Sequence, residues 1–90
     1  MKLIEFTYTK ADGSQSNRAV IELQQPSKFM EGIDVTQLTE GEFAVFVEAY
    51  RKLKNSQHEA TMELLAKYDL KHNYRRFIPE NMEAVTTEHI

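Results

Sequence analysis

Five basic side chains lie close together near the end of the chain: Lys67, Lys71, His72, Arg75 and Arg76, with Tyr68, Tyr74 and Phe77 between them. Lysine and arginine neutralise phosphates, and aromatic faces stack on bases, so this spacing is one that anion or nucleic-acid contact could use. A plainer reading explains the same residues. Lysines gather at helix C-termini because the helix dipole favours them there, and a core strand can follow such a helix end. The other chemical groups form no such cluster. His58, His72 and His89 are not spaced as metal ligands, which must converge three or four at a time on one ion. Glu40, Glu42 and Glu48 are what a helix N-terminus attracts, not a carboxylate pair with split pKa values. Ser14 and Ser16 follow a turn, Ser27 follows a proline and Ser56 has the look of a helix cap, so none sits on a nucleophile elbow. No glycine-rich phosphate loop is present. These residues point to a protein that binds, with no catalytic residues, no metal and no cofactor.

Composition narrows the class further. Ninety residues suit one domain spanning 1–90, and a chain this short hides only roughly 60–65% of its unfolded surface. Its core is thin, so a partner or a second copy could complete it. Hydrophobic residues are 41% and charged residues 28%, too apolar a mix for disorder. There is no cysteine, and the start Met1-Lys2-Leu3-Ile4-Glu5 is charged, which argues against secretion. No apolar run approaches the ~18 residues of a membrane span. The expected location is the cytoplasm, without a membrane partner. A net charge of −3 gives no global attraction to nucleic acid, so any such binding needs a local basic patch.

The elements that must position the basic cluster can be read in outline. Leu3–Thr9 alternates, with Ile4, Phe6 and Tyr8 on one face. Asp12-Gly13 predicts a two-residue type I′ turn. Folding there sets Ile4 opposite Ile21, Phe6 opposite Ala19, Tyr8 opposite Asn17, Glu5 opposite Val20 and Thr7 opposite Arg18. Ala19, Ile21 and Leu23 then share the face of Ile4. Gln24–Val35 reads as a connector, in which Pro26 stops pairing, Gly32 permits a bend, and Phe29, Met30, Ile33 and Val35 tuck against the core. Thr39-Glu40-Gly41-Glu42 fits a capping box, with Leu38 and Phe43 as a hydrophobic staple. Phe43, Phe46, Val47, Tyr50 and Leu53 then recur at helical spacing. Ser56-Gln57-His58-Glu59 is a second capping box and favours a separate helix to Tyr68, with Thr61, Leu64, Leu65 and Tyr68 on its apolar side. One long helix through Lys54-Asn55-Ser56 is the competing reading.

Tyr74–Ile78 reads as a strand ended by Pro79. A turn or short helical piece follows at Glu80–Glu83, then a last strand over Ala84–Thr87, with Glu88–Ile90 frayed. Within the first of these strands Arg75 shares a face with Phe77, and Arg76 one with Tyr74 and Ile78. If Phe77 is core, Arg75 faces inward or to the rim and must find an acceptor. The expected core is Ile4, Phe6, Ala19, Ile21, Phe43, Phe46, Val47, Tyr50, Leu53, Leu64, Leu65 and Phe77.

The two ends of the chain resemble a WYL domain, a small SH3/Sm-like β-barrel found mostly in bacterial and phage regulators. The opening Ile4-Glu5-Phe6-Thr7-Tyr8 through Asp12-Gly13 to Arg18-Ala19-Val20 is similar to the family's first hairpin. Tyr74-Arg75-Arg76-Phe77, continuing to Met82-Glu83-Ala84-Val85, is similar to its closing strands. The likeness covers a little under half of the chain. The middle strands that carry the Trp-Tyr-Leu signature are replaced by the helical region.

The resemblance implies an α+β fold: a small twisted antiparallel sheet, an SH3/Sm-like partial barrel. One or two amphipathic helices would be inserted between the N-terminal hairpin and the C-terminal strand. It also implies ligand sensing through a basic face, carried onto Tyr8, Arg18, Tyr74 and Arg75, and fits a stand-alone phage or mobile-element protein. With the basic cluster, the candidate binding residues are Tyr8, Arg18, Lys71, His72, Tyr74, Arg75 and Arg76. The expected function is a small regulatory module that binds an anionic ligand, a nucleotide or single-stranded nucleic acid. The alternative is a phage-type accessory protein that acts through a host protein partner or as a homodimer or larger homo-oligomer.

Overall fold

A computed structural model describes residues 1–23, 28–53 and 58–90. They form two compact units: residues 1–36 with 74–90, and residues 37–73. The first is an antiparallel sheet of β1 (Lys2–Thr9), β2 (Gln15–Glu22), β3 (Met30–Asp34), β4 (Tyr74–Phe77) and β5 (Met82–His89). The second carries α1 (Glu40–Arg51) and α2 (His58–Lys67). The chain is therefore α+β, with two helices inserted in sequence between β3 and β4.

The β1–β2 hairpin forms, but one residue out of the expected register. Ile4 faces Val20, Phe6 faces Arg18, Tyr8 faces Ser16, Glu5 faces Ala19 and Thr7 faces Asn17. The cause is the turn. A type I′ turn needs positive φ at both central residues, and of Asp12 and Gly13 only Gly13 has it. Instead the Gly13 N–H bonds the Lys10 carbonyl at 2.9 Å, and the Lys10 N–H bonds the Ser14 carbonyl at 2.8 Å. Gly13 itself takes φ +88°. This is the longer hairpin turn that ends in a left-handed glycine. The Asp12 carboxylate braces it, accepting from the Ser14 N–H and hydroxyl at 2.9 and 2.6 Å.

Because strand faces alternate, the shift exchanges the faces of β2. Val20 and Arg18 join Ile4, Phe6 and Tyr8, while Ala19 and Ile21 go to the other side with Leu3 and Glu5. Val20 and Ile21 are both completely buried, and Ala19 only half-buried. The sheet thus has buried side chains on both faces.

The expected connector contains a strand. Met30, Ile33 and Val35 are buried as expected, but as part of or beside β3, which pairs with β2 and β4. Pro26 lies outside the described residues. Gly32 makes no bend. It sits mid-strand, where a Cβ would collide with the Ile21 carbonyl oxygen and a Val20 methyl group. Glycine in a strand marks such close backbone approach.

Strand order is β4-β3-β2-β1-β5, with both ends open among the described residues. The sheet is not a closed barrel, yet it curls strongly. In a flat sheet β1 and β4 would lie about 14 Å apart, three inter-strand spacings. Phe77 of β4 nevertheless touches Phe6 and Tyr8 of β1 edge-to-face, with 5.1 Å between ring centroids in both pairs. The Ile78 N–H donates to the Tyr8 hydroxyl at 3.3 Å. Ile4, Phe6, Val20, Met30 and Phe77 form the apolar cluster inside the curl, and Tyr8 and Met82 border it. The two edge strands are joined by Ile78–Asn81 alone, including a 3-10 turn at Pro79–Asn81. So short a link cannot span the ~19 Å width of a flat five-stranded sheet. The end of the chain is not frayed: β5 runs through His89, and the Ile90 N–H bonds the Met1 carbonyl at 3.0 Å.

In the helical unit the Thr39 hydroxyl accepts from the Glu42 N–H at 3.2 Å, and Glu42 Oε1 accepts from the Thr39 N–H at 2.9 Å. The expected capping box is present. Helix α1 ends at Arg51 with 3-10-type bonds from Lys52 and Leu53. Lys52 and Leu53 are outside the helix, so the described residues form two helices, α1 and α2; Ser56 and Gln57 of the second capping box lie outside the described residues. Phe46, Val47, Thr61, Leu65 and Leu70 are buried, whereas Phe43, Tyr50, Leu53 and Leu64 are only half-buried.

Two substitutions test this architecture. Phe46→Ala removes a ring only 1% exposed that meets Tyr68 edge-to-face at 6.0 Å. It is expected to cost about 3–5 kcal/mol in denaturant unfolding. Gly32→Ala, ordinarily mild in a strand, is expected to cost at least about 1–3 kcal/mol, because the added methyl overpacks β3 against β2. An unchanged midpoint for Gly32→Ala would contradict the close approach.

Candidate functional site

The structure sorts the expected binding residues into separate places. Tyr8, Arg18 and Arg75 lie on the face of the sheet that carries the apolar cluster. Tyr74 and Arg76 lie on the opposite face. Lys71 and His72 are exposed on a 3-10 turn, Lys71–Asn73, which belongs to the helical unit. The basic run is therefore not one surface within either unit.

On the first face, register brings Arg18 of β2 and Arg75 of β4 diagonally toward Asp34 of β3. Val20 pairs with Asp34, and Gly32 pairs with Arg75. Arg18 Nη1 donates to Asp34 Oδ2 at 2.7 Å, while its Nε donates to Ser16 Oγ at 3.1 Å. Arg75 Nε stands 3.9 Å from the same Oδ2, too far for a hydrogen bond. The other carboxylate oxygen, Oδ1, accepts from the Thr36 hydroxyl at 2.6 Å and the Thr36 N–H at 3.0 Å. The Thr36 hydroxyl in turn accepts from the Ala19 N–H at 2.9 Å. Asp34 is buried, Arg18 is 21% exposed and Arg75 is 52% exposed. Arg75 faces the side of Phe77, as strand parity predicts, and stands at the rim instead of in a closed pair.

Burial of Asp34 opposes its ionisation. The two bonds from Thr36 and the contact with Arg18 outweigh that, and its pKa lies below the ordinary carboxylate value. Asp34 is thus the fixed negative charge between two guanidinium groups. The same face carries Lys2 and Glu22, which cancel in charge, so one positive charge is left over.

On the opposite face Arg76 is matched by an acidic neighbour, and Glu5, Glu83 and Glu88 make that face net acidic. Arg76 Nε lies 3.2 Å from Glu31 Oε1, and the Tyr74 hydroxyl donates to Glu31 Oε2 at 2.8 Å. Burial, followed by the bond to Glu31, pushes the Tyr74 pKa up. Arg76 also lies 6.0 Å from the centre of the Phe29 ring. Tyr8 has an evident structural task, since its ring packs on Phe6 and Phe77 and its hydroxyl holds Ile78.

Asp34 and Glu31 are the two site residues that sequence reasoning missed. The available signal was the run Met30-Glu31-Gly32-Ile33-Asp34-Val35, in which acidic residues fall among apolar ones.

Among the described residues no group of His, Cys, Asp and Glu is arranged to hold a metal ion. No described helix is long and apolar enough to cross a membrane. In the helical unit Leu38, Gly41, Val45, Phe46, Tyr68 and Leu70 line an apolar groove of about 400 Å³. No protein-family model, curated protein or solved structure matches the chain.

The Asp34 network generates a pH prediction. Its depressed pKa means that its contribution to stability is present above the unfolded-state value of about 3.9 and is lost as pH falls through the lower folded-state value. Asp12 and Glu42 shift in the same direction through their hydrogen bonds to Ser14 and Thr39. The Asp34 share is therefore read as a difference. Asp34→Asn is expected to be less stable at pH 7 by about 1.5–3 kcal/mol, with the gap from the parent narrowing below about pH 4. A gap that stays constant down to pH 2 would remove the assigned role of the carboxylate.

Proposed function

We propose that this chain acts by binding, not catalysis, and that its sheet unit is a divergent SH3/Sm-like partial barrel that holds a phosphate-bearing ligand at the rim beside Arg75. The observation that carries this reading is the charge imbalance at Asp34. Two guanidinium groups approach one carboxylate oxygen, and the nearer, Arg18, already makes the hydrogen bonds to Asp34 and Ser16. Arg75 is half-exposed and beyond hydrogen-bonding distance of Asp34, so its planar fork is placed to take a phosphate bidentately.

The fold part of the reading is supported by a meander whose last strand returns beside the first, a short 3-10 link between the edge strands, and a curl tight enough to join β1 and β4. This layout is the one expected of a WYL-like barrel in which helices replace the signature strands. The ligand chemistry is that of a nucleotide or single-stranded nucleic acid, which share the phosphate. The net charge of −3 makes a local site, not a broad basic surface, the relevant feature.

The test is fluorescence anisotropy at low salt with a labelled single-stranded oligonucleotide and, separately, a labelled nucleoside triphosphate. Arg75→Lys keeps the charge but loses the fork. It is expected to weaken binding about tenfold or more, about 1.4 kcal/mol, with little change in melting temperature. Arg76→Ala, on the opposite face and matched to Glu31, is expected to have a smaller effect. Absence of binding by the parent protein to both probes, together with destabilisation by Arg75→Ala, would make Arg75 a structural partner of Asp34 and end the proposal.

A further inference from the structure

The open edge of β5 stands apart from the anion site and does not depend on it. An unpaired strand edge presents a row of backbone donors and acceptors, and proteins usually blunt such edges with short strands, lysine or proline. Edge strand β4 is blunted. It has four residues, two of them arginines, and Pro79 follows after one intervening residue. Strand β5 has eight residues and contains no lysine, arginine or proline. Glu83 through His89 are exposed, with Val85 50% exposed.

The pairing pattern fixes which backbone groups face outward. The Ile90 N–H bonds the Met1 carbonyl, and the register continues as Lys2 with His89, Leu3 with Glu88, Ile4 with Thr87 and Glu5 with Thr86. Antiparallel ladders alternate hydrogen-bonded and non-bonded pairs. Ile90, Glu88 and Thr86 therefore point their backbone groups at β1, while Val85, Thr87 and His89 point theirs away from the sheet. At Val85 and Ala84 the ladder is interrupted. The register shifts between Glu5 and Thr7, and Ala84 takes φ +52°, a bulge that ends the regular edge.

We propose that this edge pairs with the same edge of a second copy, β5 antiparallel to β5 about a two-fold axis through Thr87. Outward-facing residues must oppose each other, which allows only shifts of two in the cross-strand partner. Placing Thr87 opposite Thr87 sets Val85 against His89 on both sides, so all three outward residues pair through about six N–H···O bonds. Glu88 then faces Thr86. Sliding by one allowed step toward the C-terminus sets Glu88 against Glu88, like charges directly opposed and unfavourable. Sliding the other way sets Glu88 against the bulged Ala84 and leaves an outward residue unmatched. The two-fold arrangement is closed, so assembly stops at a dimer.

The contact is short, so the dimer is weak and must be sought at high concentration. Sedimentation equilibrium of the full chain up to roughly 1 mM is expected to show a monomer–dimer equilibrium. Thr87→Pro removes an outward N–H that the folded monomer does not use. It is expected to give a monomer at every concentration with an unchanged circular-dichroism spectrum. Should that variant fail to fold, Thr87→Glu decides, since it opposes two carboxylates across the axis and is likewise expected to be monomeric. A monomeric parent at the highest concentration would overturn the proposal, as would a Thr87→Glu dimer. Species larger than dimers would do so too, because they indicate head-to-tail pairing of β4 with β5. None of these outcomes depends on anion binding, so the two proposals stand or fall apart.

Discussion

The backbone conformation of Gly13 determines which side of the sheet each later side chain occupies. With φ +88° it closes a turn one residue different in phase from the tight two-residue alternative. Strand alternation then carries that phase through β2, and pairing carries it to β3 and β4. Val20 lands beside Ile4 and Phe6, Met30 and Phe77 complete the cluster, and Arg18, Asp34 and Arg75 follow on the same face. A residue with a Cβ pays a steric cost in this region of φ, so a substitution at Gly13 acts on the whole face and not on the turn alone.

The curl of the sheet follows from two further constraints. Gly32 lets β3 approach β2 closer than any side chain would permit. The four residues from Ile78 to Asn81 then draw opposite edges of the sheet toward one another. Three aromatic rings from non-adjacent strands fill the resulting concavity, and the Tyr8 hydroxyl takes up the Ile78 amide, which would otherwise lack a strand partner. The apolar cluster and the polar Asp34 network thus share one concave face, the former within it and the latter at its rim.

How much of this was legible in the sequence depended on the range of the interaction that decides it. The capping box at Thr39 and the parity of Arg75 with Phe77 are local, and both appear as read. Hairpin phase is also local, but Asp12-Gly13 is compatible with either turn, and the Lys10–Ser14 bond that distinguishes them is not written in any short motif. Strand β3 was obscured because Pro26 and Gly32 suggest a break. The reason for Gly32 is a collision with Val20 and Ile21, eleven or so residues away in sequence, which pattern reading cannot see. The partners of the arginines were invisible for the same reason. Arg18 and Asp34 are sixteen residues apart, and Tyr74 and Glu31 forty-three. Strand parity already set Arg75 and Arg76 on opposite faces, but that Lys71 and His72 belong to the helical unit could not be read from the run of basic residues.

That division separates two kinds of arginine. A buried carboxylate such as Asp34 costs free energy unless its oxygens are satisfied, and Thr36 with Arg18 satisfies them. Arg18 is therefore needed by the scaffold, and its loss would leave a buried charge short of its main counter-ion. Arg76, itself exposed, is matched to the largely covered Glu31, which also accepts from the Tyr74 hydroxyl. Arg75 differs from both. It stands 3.9 Å from a carboxylate oxygen that Arg18 already hydrogen-bonds, and its side chain is about half-exposed. A guanidinium that is half-exposed and makes no hydrogen bond to the carboxylate beside it is the ground on which anion binding is proposed for Arg75.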